Sequence, residues 1–156
     1  MDDTTREFIR SMSSQEKKFD ALYRNLASSF GIPDCGMWIL YYVLITEEDI
    51  SQQELQELMM FPKQTINSAV TGLVKRGYIE LEMIPGTRNR KKIILTKSGK
   101  AFAEETVGKM IAAETRAISD MGEKKMKQYI RLHDEYFALL EEKFEKEGLI
   151  DNGSSE

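Results

Sequence analysis

The spacing of apolar residues divides most of the chain into helices. An apolar stripe at helical spacing predicts a first helix over about residues 5–30, opened by a capping box of Thr4 and Glu7. An almost wholly apolar helix over about 34–46 should lie at the centre of the core. Two further helices are predicted over about 97–119 and 123–147, and residues 151–156 have the composition of a disordered tail.

A short helix and a longer one are predicted in the middle of the chain. Ser51 and Glu54 have capping-box spacing, so a helix should run from there to about Met59, with Leu55 and Leu58 pointing inward. Pro62 suits the first turn of the next helix, because its missing N–H costs nothing there. The two segments together have the pattern of a helix-turn-helix.

The predicted helix from Pro62 to Arg76 separates its side chains by face. Gly77 ends it, because glycine adopts the positive φ of a helix C-terminus at little cost. Helical spacing places five apolar side chains on one side, where we expect them to be buried: Ile66, Ala69, Val70, Leu73 and Val74. The opposite side is polar and contains no acidic residue.

A β-hairpin with a basic turn follows. Alternating residues over 78–83 predict a half-buried strand, and residues 92–95 return as its partner after the turn at Pro85 and Gly86. The predicted fold class is therefore mainly α with a small β-hairpin wing, in which a winged helix-turn-helix spans about residues 34–96.

The charge distribution indicates a nucleic-acid-binding surface. The net charge is −4, yet residues 61–100 hold nine basic and two acidic residues, a local balance of +7 against −11 for the remainder. Such a field presents one positive surface and repels polyanions elsewhere. The positive segment coincides with the helix-turn-helix and its wing.

The polar face of the 62–76 helix has side chains that suit DNA reading. Hydroxyl and amide groups bind base edges, and Asn and Gln pair best with adenine. Cations at the helix ends should meet phosphates, while a basic wing can enter a minor groove. The predicted DNA-binding residues are Ser51, Lys63, Gln64, Thr65, Asn67, Ser68, Thr71, Lys75, Arg76, Arg88, Arg90 and Lys91.

The remaining residues indicate no catalytic or metal chemistry. One histidine, His133, and one cysteine provide neither a nucleophile–base pair nor a zinc cluster, so we predict no enzyme, cofactor or metal. The single cysteine suits a reducing cytoplasm, and the apolar run 37–45 is too short to span a membrane. The polar N-terminus has no secretory signal, so a cytoplasmic location is expected.

These residues resemble the MarR family of transcriptional regulators. The resemblance rests on the segment PKQTINSAVTGLVKRGYIE, the wing and the Leu95–Gly99 motif LTKSG, and the helical framework extends it to a single domain over 1–150. It implies a homodimer held by helices over about 5–30 and 97–147, which reads a pseudo-palindromic double-stranded operator. Family members commonly carry Asp-x-Arg in the wing, where the carboxylate braces the arginine; Thr87 occupies the Asp position here.

The resemblance also implies a repressor that a small aromatic effector releases from DNA. By position, the effector-pocket residues are Trp38, Tyr41 and Tyr42, with simple core packing as the alternative. Cys35 opens a predicted helix whose dipole would favour a thiolate. One alternative function is therefore thiol-based redox sensing, although Cys35 is otherwise an inert, partly buried thiol. Another alternative function is a winged-helix module that binds protein or RNA.

Overall fold

The structure is a computed structural model and describes residues 1–46 and 50–150. The predicted tail at 151–156 lies outside these residues. Seven α-helices, a π-helical segment and two strands follow one another in the described chain: α1 (Asp3–Ser29), α2 (Asp34–Ile45), α3 (Gln52–Met59), α4 (Lys63–Lys75), β1 (Ile79–Met83), β2 (Lys91–Leu95), α5 (Lys97–Ala103), the π segment (Glu104–Gly108), α6 (Lys109–Met121) and α7 (Glu123–Lys146). The predicted fold class, mainly α with a β-hairpin wing, is confirmed.

The described chain divides into two compact units, residues 1–111 and the residues from Ala112 onward. In the first unit, α2 lies at the centre, as its continuous apolar composition predicts, and Met37, Ile39 and Leu40 are fully buried. α4 packs against α2 through a stripe of buried side chains: Ile66, Ala69, Val70 and Leu73. The polar side of α4 is thereby turned to solvent.

Two predicted inward residues are exposed instead. Leu58 of α3 is 52% exposed and Val74 of α4 is 41% exposed, so the expectation of burial was wrong for both. At 100° per residue, Val74 lies about 80° from Ile66, at the edge of the buried stripe. In the eight-residue α3, the fully buried Leu55 makes the core contact, and Leu58 lies about 60° away from it.

The N-caps of α1 and α3 test the two capping boxes that the sequence predicts. The expected Thr4–Glu7 box at α1 was wrong: Asp2 is the N-cap, and its carboxylate accepts from the Thr5 backbone N–H at 2.8 Å. An aspartate satisfies the free N–H groups and favours the positive end of the helix dipole. The Ser51–Glu54 box at α3 is confirmed, with both reciprocal hydrogen bonds present.

The wing is an antiparallel hairpin anchored to the start of α3. β1 pairs with β2 from Ile79–Leu95 to Met83–Lys91. The Ile93 N–H donates to the Ile50 carbonyl at 3.0 Å on the other edge of β2, where Ser51 also forms a β-bridge with Lys92. The backbone before α3 therefore completes the sheet and fixes the base of the wing to the helix-turn-helix.

The predicted helix over 97–119 is interrupted. The π segment separates α5 from α6, and the Thr106 hydroxyl in it donates to the Phe102 carbonyl at 2.7 Å. Such a bond competes with the regular backbone ladder and bends a helix locally. Gly122, with φ of +83°, then separates α6 from α7.

The motif after the wing joins the end of α4 to the start of α5. The Thr96 hydroxyl caps α5 by accepting from the Gly99 N–H at 2.9 Å, and it donates to the Gly77 carbonyl at 2.6 Å. The Ser98 hydroxyl donates to the same carbonyl at 2.8 Å. A Cβ on Gly99 would lie 1.7 Å from the Tyr78 carbonyl oxygen, so only glycine fits this close approach.

We predict that Gly99→Ala destabilises the protein by about 2 kcal/mol or more, because the added methyl forces α5 away from Tyr78. Gly72→Ala in α4 is the matched control: nothing lies within 4 Å of its Cβ, so it should stabilise by up to about 1 kcal/mol through helix propensity. Urea unfolding monitored by circular dichroism measures both changes. Equal effects of the two substitutions would contradict the proposed steric origin.

Candidate nucleic-acid interface

The exposed side of α4 carries the predicted reading residues together. Its buried stripe is held against the core, and its N-terminal turn contains no acidic side chain. Eight predicted residues are exposed on this helix and its end: Lys63, Gln64, Thr65, Asn67, Ser68, Thr71, Lys75 and Arg76. The basic groups lie at the two ends and the neutral polar groups lie between them, which suits phosphates flanking a row of base edges.

Ser51 does not belong to this surface. It is 0% exposed, its hydroxyl accepts from the Glu54 N–H, and its own N–H donates to the Glu54 carboxylate at 2.7 Å. Its expected DNA contact was therefore wrong. A serine at this position suits both DNA contact and helix capping, and its burial beside β2 decides for capping.

Gln52 joins the surface although its position in the sequence did not predict this. Its Nε2 donates to Oδ1 of Asn67, and the Thr71 hydroxyl donates to the Asn67 backbone carbonyl at 2.8 Å. Periodicity cannot indicate Gln52, because it is the first residue of α3 and contacts a residue fifteen positions later. The one sequence feature that could have suggested this contact is the amide side chain that directly follows the N-cap Ser51.

The wing presents Arg88, Arg90 and Lys91 as exposed side chains. Its turn is closed by the Ile84 N–H, which donates to the Arg90 carbonyl at 2.9 Å, and by the Thr87 hydroxyl, which donates to the Ile84 carbonyl at 2.8 Å. Thr87, at the position where the MarR pattern has aspartate, therefore bonds to the backbone. A neutral hydroxyl orders the turn but cannot form an ion pair with an arginine.

A carboxylate from α3 takes the bracing role instead. Glu54 Oε1 lies 3.3 Å from Arg90 Nη2, and both side chains are about half exposed. Hydrogen bonds from the Ser51 side chain and backbone lower the pKa of Glu54, and the charge of Arg90 lowers it further. Glu54 is therefore ionised at neutral pH. The arginine of this wing is oriented from the helix-turn-helix rather than from within the wing.

The predicted effector residues form a row of contacting rings. Trp38 lies 4.9 Å from Tyr23 and 5.3 Å from Tyr41 between ring centroids, and Tyr41 lies 5.7 Å from Tyr42. All of them are partly buried against the core. A cavity of about 550 Å³ opens elsewhere, between the start of α2 and α4, and its lining includes Pro33, Cys35, Pro62, Gln64, Leu73 and Arg76.

The environment of Cys35 does not favour a thiolate. The side chain is 5% exposed, and burial raises the pKa of the thiol to about 11, with the negative charge of Asp34 adding to the effect. The expectation that the start of the helix would favour ionisation was wrong, because burial and the charge of Asp34 both raise the pKa of the thiol. The thiol is thus protonated at neutral pH, and a thiol is a poor nucleophile.

Two other classes of site are not formed by the described residues. Within 1–46 and 50–150, no three His, Cys, Asp or Glu side chains come together as metal ligands would. None of the helices in the same part of the chain is long and apolar enough to cross a membrane. His133 lies beside Tyr129 on α7, with 6.2 Å between ring centroids.

We predict that Cys35 in the folded protein reacts with a disulfide reagent at pH 8 about 100-fold more slowly than in urea, because its pKa is about 11 and its access is restricted. The rate should rise with pH well beyond 9 in the folded protein. Absorbance of the released thiolate measures both rates. Comparable rates in the folded and unfolded protein would restore the redox alternative.

The model of the MarR family matches residues 31–88, which run from the end of α1 into the wing. No curated protein matches the chain. A solved MarR family regulator from Neisseria meningitidis is similar, with a TM-score of 0.74, 19% identity, and coverage of 89% of this chain and 97% of that chain.

Two staphylococcal structures are similar as well. The complex of Staphylococcus aureus MepR with DNA has a TM-score of 0.60 at 19% identity, covering 85% of this chain and 96% of that chain. Staphylococcus aureus MarR in complex with salicylate and kanamycin has a TM-score of 0.63 at 15% identity, covering 89% and 93%. At these identities the likeness establishes a shared fold.

Proposed function

We propose that this chain is a winged-helix regulator of the MarR family, whose model matches residues 31–88, and that it binds double-stranded DNA sequence-specifically. The observation that carries the proposal is the exposed face of α4, which has no carboxylate although the chain is acidic overall. The fold shared with the DNA-bound MepR supports the same geometry. In this arrangement α4 enters the major groove and the wing follows the adjacent backbone.

The α4 side chains divide into two roles by position. Gln64, Asn67 and Ser68 lie on the N-terminal half of the exposed face, where they reach base edges. Lys63 and Lys75 lie at the two ends, where they reach phosphates. Base contacts provide sequence preference, whereas phosphate contacts provide affinity that depends on salt.

We predict that Lys75→Ala weakens binding to every duplex alike and reduces the slope of log affinity against log salt by about 1 per contact. Asn67→Ala should instead relax the preference at particular bases with little change in slope. Fluorescence anisotropy with duplexes selected from a random pool, over a range of salt, measures both effects. Lys127→Ala, which removes an equal charge from α7, is the control and should change neither.

Two results would overturn this assignment. If both α4 variants bound every duplex as the unchanged protein does, the recognition face would be wrongly placed. If the protein bound RNA or a protein partner but no duplex, the alternative of a winged-helix interaction module would replace it.

We propose further that the chain acts as a homodimer. Apolar side chains of α1 and α7 are exposed in the single protomer, and none of the α7 residues is buried. So much apolar surface marks a protein–protein contact. The exposed members include Phe8, Ile9, Phe19, Leu22, Tyr129, Ile130, Leu132 and Phe137. A two-fold dimer would place two α4 helices on half-sites of a pseudo-palindromic operator, one helical turn apart.

We predict a dimer at micromolar concentration and a shift toward monomer in Phe137→Glu, because a charge on this apolar surface opposes its burial. Gln128→Glu adds the same charge at an exposed polar position of α7 and should leave the dimer intact. Sedimentation equilibrium measures the association. A monomeric unchanged protein under these conditions would refute the dimer.

The finer regulatory assignments are also proposals. We propose a repressor released by a small aromatic effector, supported by the ring row at Trp38, Tyr41 and Tyr42 and by the salicylate-bound relative of the same fold. A ligand can act only by favouring a conformation that fits DNA less well. Trp38 is the single tryptophan, so its fluorescence would report ligand binding there directly. A cytoplasmic location, one functional domain over 1–150 and the absence of cofactor and enzymatic activity remain predictions.

A further inference from the structure

Asn67 is the only α4 reading residue whose side-chain amide oxygen is engaged by a described neighbouring helix. The donor is Nε2 of Gln52, which opens α3 and is partly buried. Gln52 directly follows Ser51, the buried cap of the same helix, so its backbone position is fixed by the capping box. The contact thus joins a rigid helix start to a side chain in the middle of the recognition face.

This hydrogen bond determines which end of the Asn67 amide faces outward. A free asparagine pairs with adenine by using its oxygen as an acceptor for N6 and its nitrogen as a donor to N7. With Oδ1 directed to Gln52, the Nδ2 group points away from α3 and offers two donors. Such a group matches the adjacent O6 and N7 acceptors of guanine better than the mixed edge of adenine.

The hydroxyl of Thr71, one turn along α4, is left as an acceptor, whereas the Asn67 amide is left as a donor. Its hydroxyl hydrogen is donated to the Asn67 backbone carbonyl at 2.8 Å. The hydroxyl can therefore only accept a hydrogen bond from a base, and the methyl group remains available for apolar contact. Its partners are the amino group of cytosine or adenine, or the methyl group of thymine.

We propose that Gln52 is a positioning residue that sets the hydrogen-bonding polarity of the α4 surface, so that Asn67 reads base acceptors and prefers guanine. The inference rests on the proposed DNA binding and adds a specificity-determining residue to it. Gln52 itself needs no contact with DNA, because it acts through the orientation of the Asn67 amide.

The test compares base preference at each position of the binding site. In Gln52→Ala the amide is free to rotate, and the guanine preference at one position of each half-site should fall about tenfold in favour of adenine. In Gln52→Glu the carboxylate only accepts, so it should attract Nδ2 and turn Oδ1 outward. That variant should reverse the preference toward bases with an exposed amino group. Competition among duplexes that differ at single positions gives the profile.

Gln53 provides the matched control. It is the neighbouring glutamine of α3 and is exposed, so Gln53→Ala and Gln53→Glu should leave the profile unchanged. The salt slope should stay constant in the two alanine variants, because neither residue is assigned to a phosphate. Thermal unfolding of each variant establishes that the fold is intact before binding is compared.

The outcomes separate this inference from the proposed function. If Gln52→Ala weakens binding to all sequences in parallel, or if Gln52→Glu keeps the guanine preference, the positioning role is refuted while DNA binding stands. If Asn67→Ala also leaves every duplex equally bound, the recognition face itself is refuted. A loss of guanine preference confined to the Gln52 and Asn67 variants supports the inference.

Discussion

The capping box at the start of α3 is the contact on which the rest of the interface depends. Ser51 is buried beside β2, and its two bonds with Glu54 fix the first turn of α3. From that turn Gln52 reaches Asn67 on α4, while Glu54 reaches Arg90 on the wing. A cap is usually a local device worth about 1 kcal/mol. Here the same turn also orients one side chain on each of the two surfaces expected to meet DNA.

The acidity of the chain is compatible with this role because charges act over short distances. At physiological salt, exposed charges are screened beyond about 8 Å, so a carboxylate outside that range contributes little at the α4 face. Two carboxylates at the wing are paired: Glu54 contacts Arg90, and Glu82 lies 3.8 Å from Lys92 across the hairpin. The α4 helix itself contains no carboxylate. Pairing therefore partly neutralises the cations of the wing, whereas α4 offers its cations no acidic partner within the helix.

The sequence predicts correctly those features of the fold that depend on residues close together in the chain. The central α2, the capping box at Ser51 and the hairpin each follow from composition or spacing within a few residues, and the structure has them where expected. The errors lie where packing from distant parts of the chain decides. Ser51 is buried where it pairs with Lys92 of β2, forty-one positions later, and Val74 is exposed because the core does not extend around α4.

In the candidate site, too, the residues predicted correctly depend on nearby positions in the sequence, and those that were missed depend on distant ones. The α4 side chains could be selected from helical spacing alone, since all eight predicted there are exposed. Gln52 and Glu54 could not, because their partners Asn67 and Arg90 are fifteen and thirty-six residues away. The two readings of Cys35 differ in the same way: the helix position behind the redox alternative is visible in the sequence, whereas the burial that raises the pKa of this thiol, as the inert reading expects, depends on the tertiary fold.

The exchange of a wing aspartate for Glu54 changes how the wing is held. An aspartate inside the wing would brace an arginine wherever the hairpin moved, but Glu54 does so only while the wing lies against α3. A half-exposed ion pair contributes at most about 1 kcal/mol, so it does not fix the wing by itself. The backbone bond between Ile93 and Ile50 and the buried side chains of β1 and β2 provide that attachment. The ion pair therefore orients the guanidinium, and a bond this weak can be replaced by a phosphate when DNA binds.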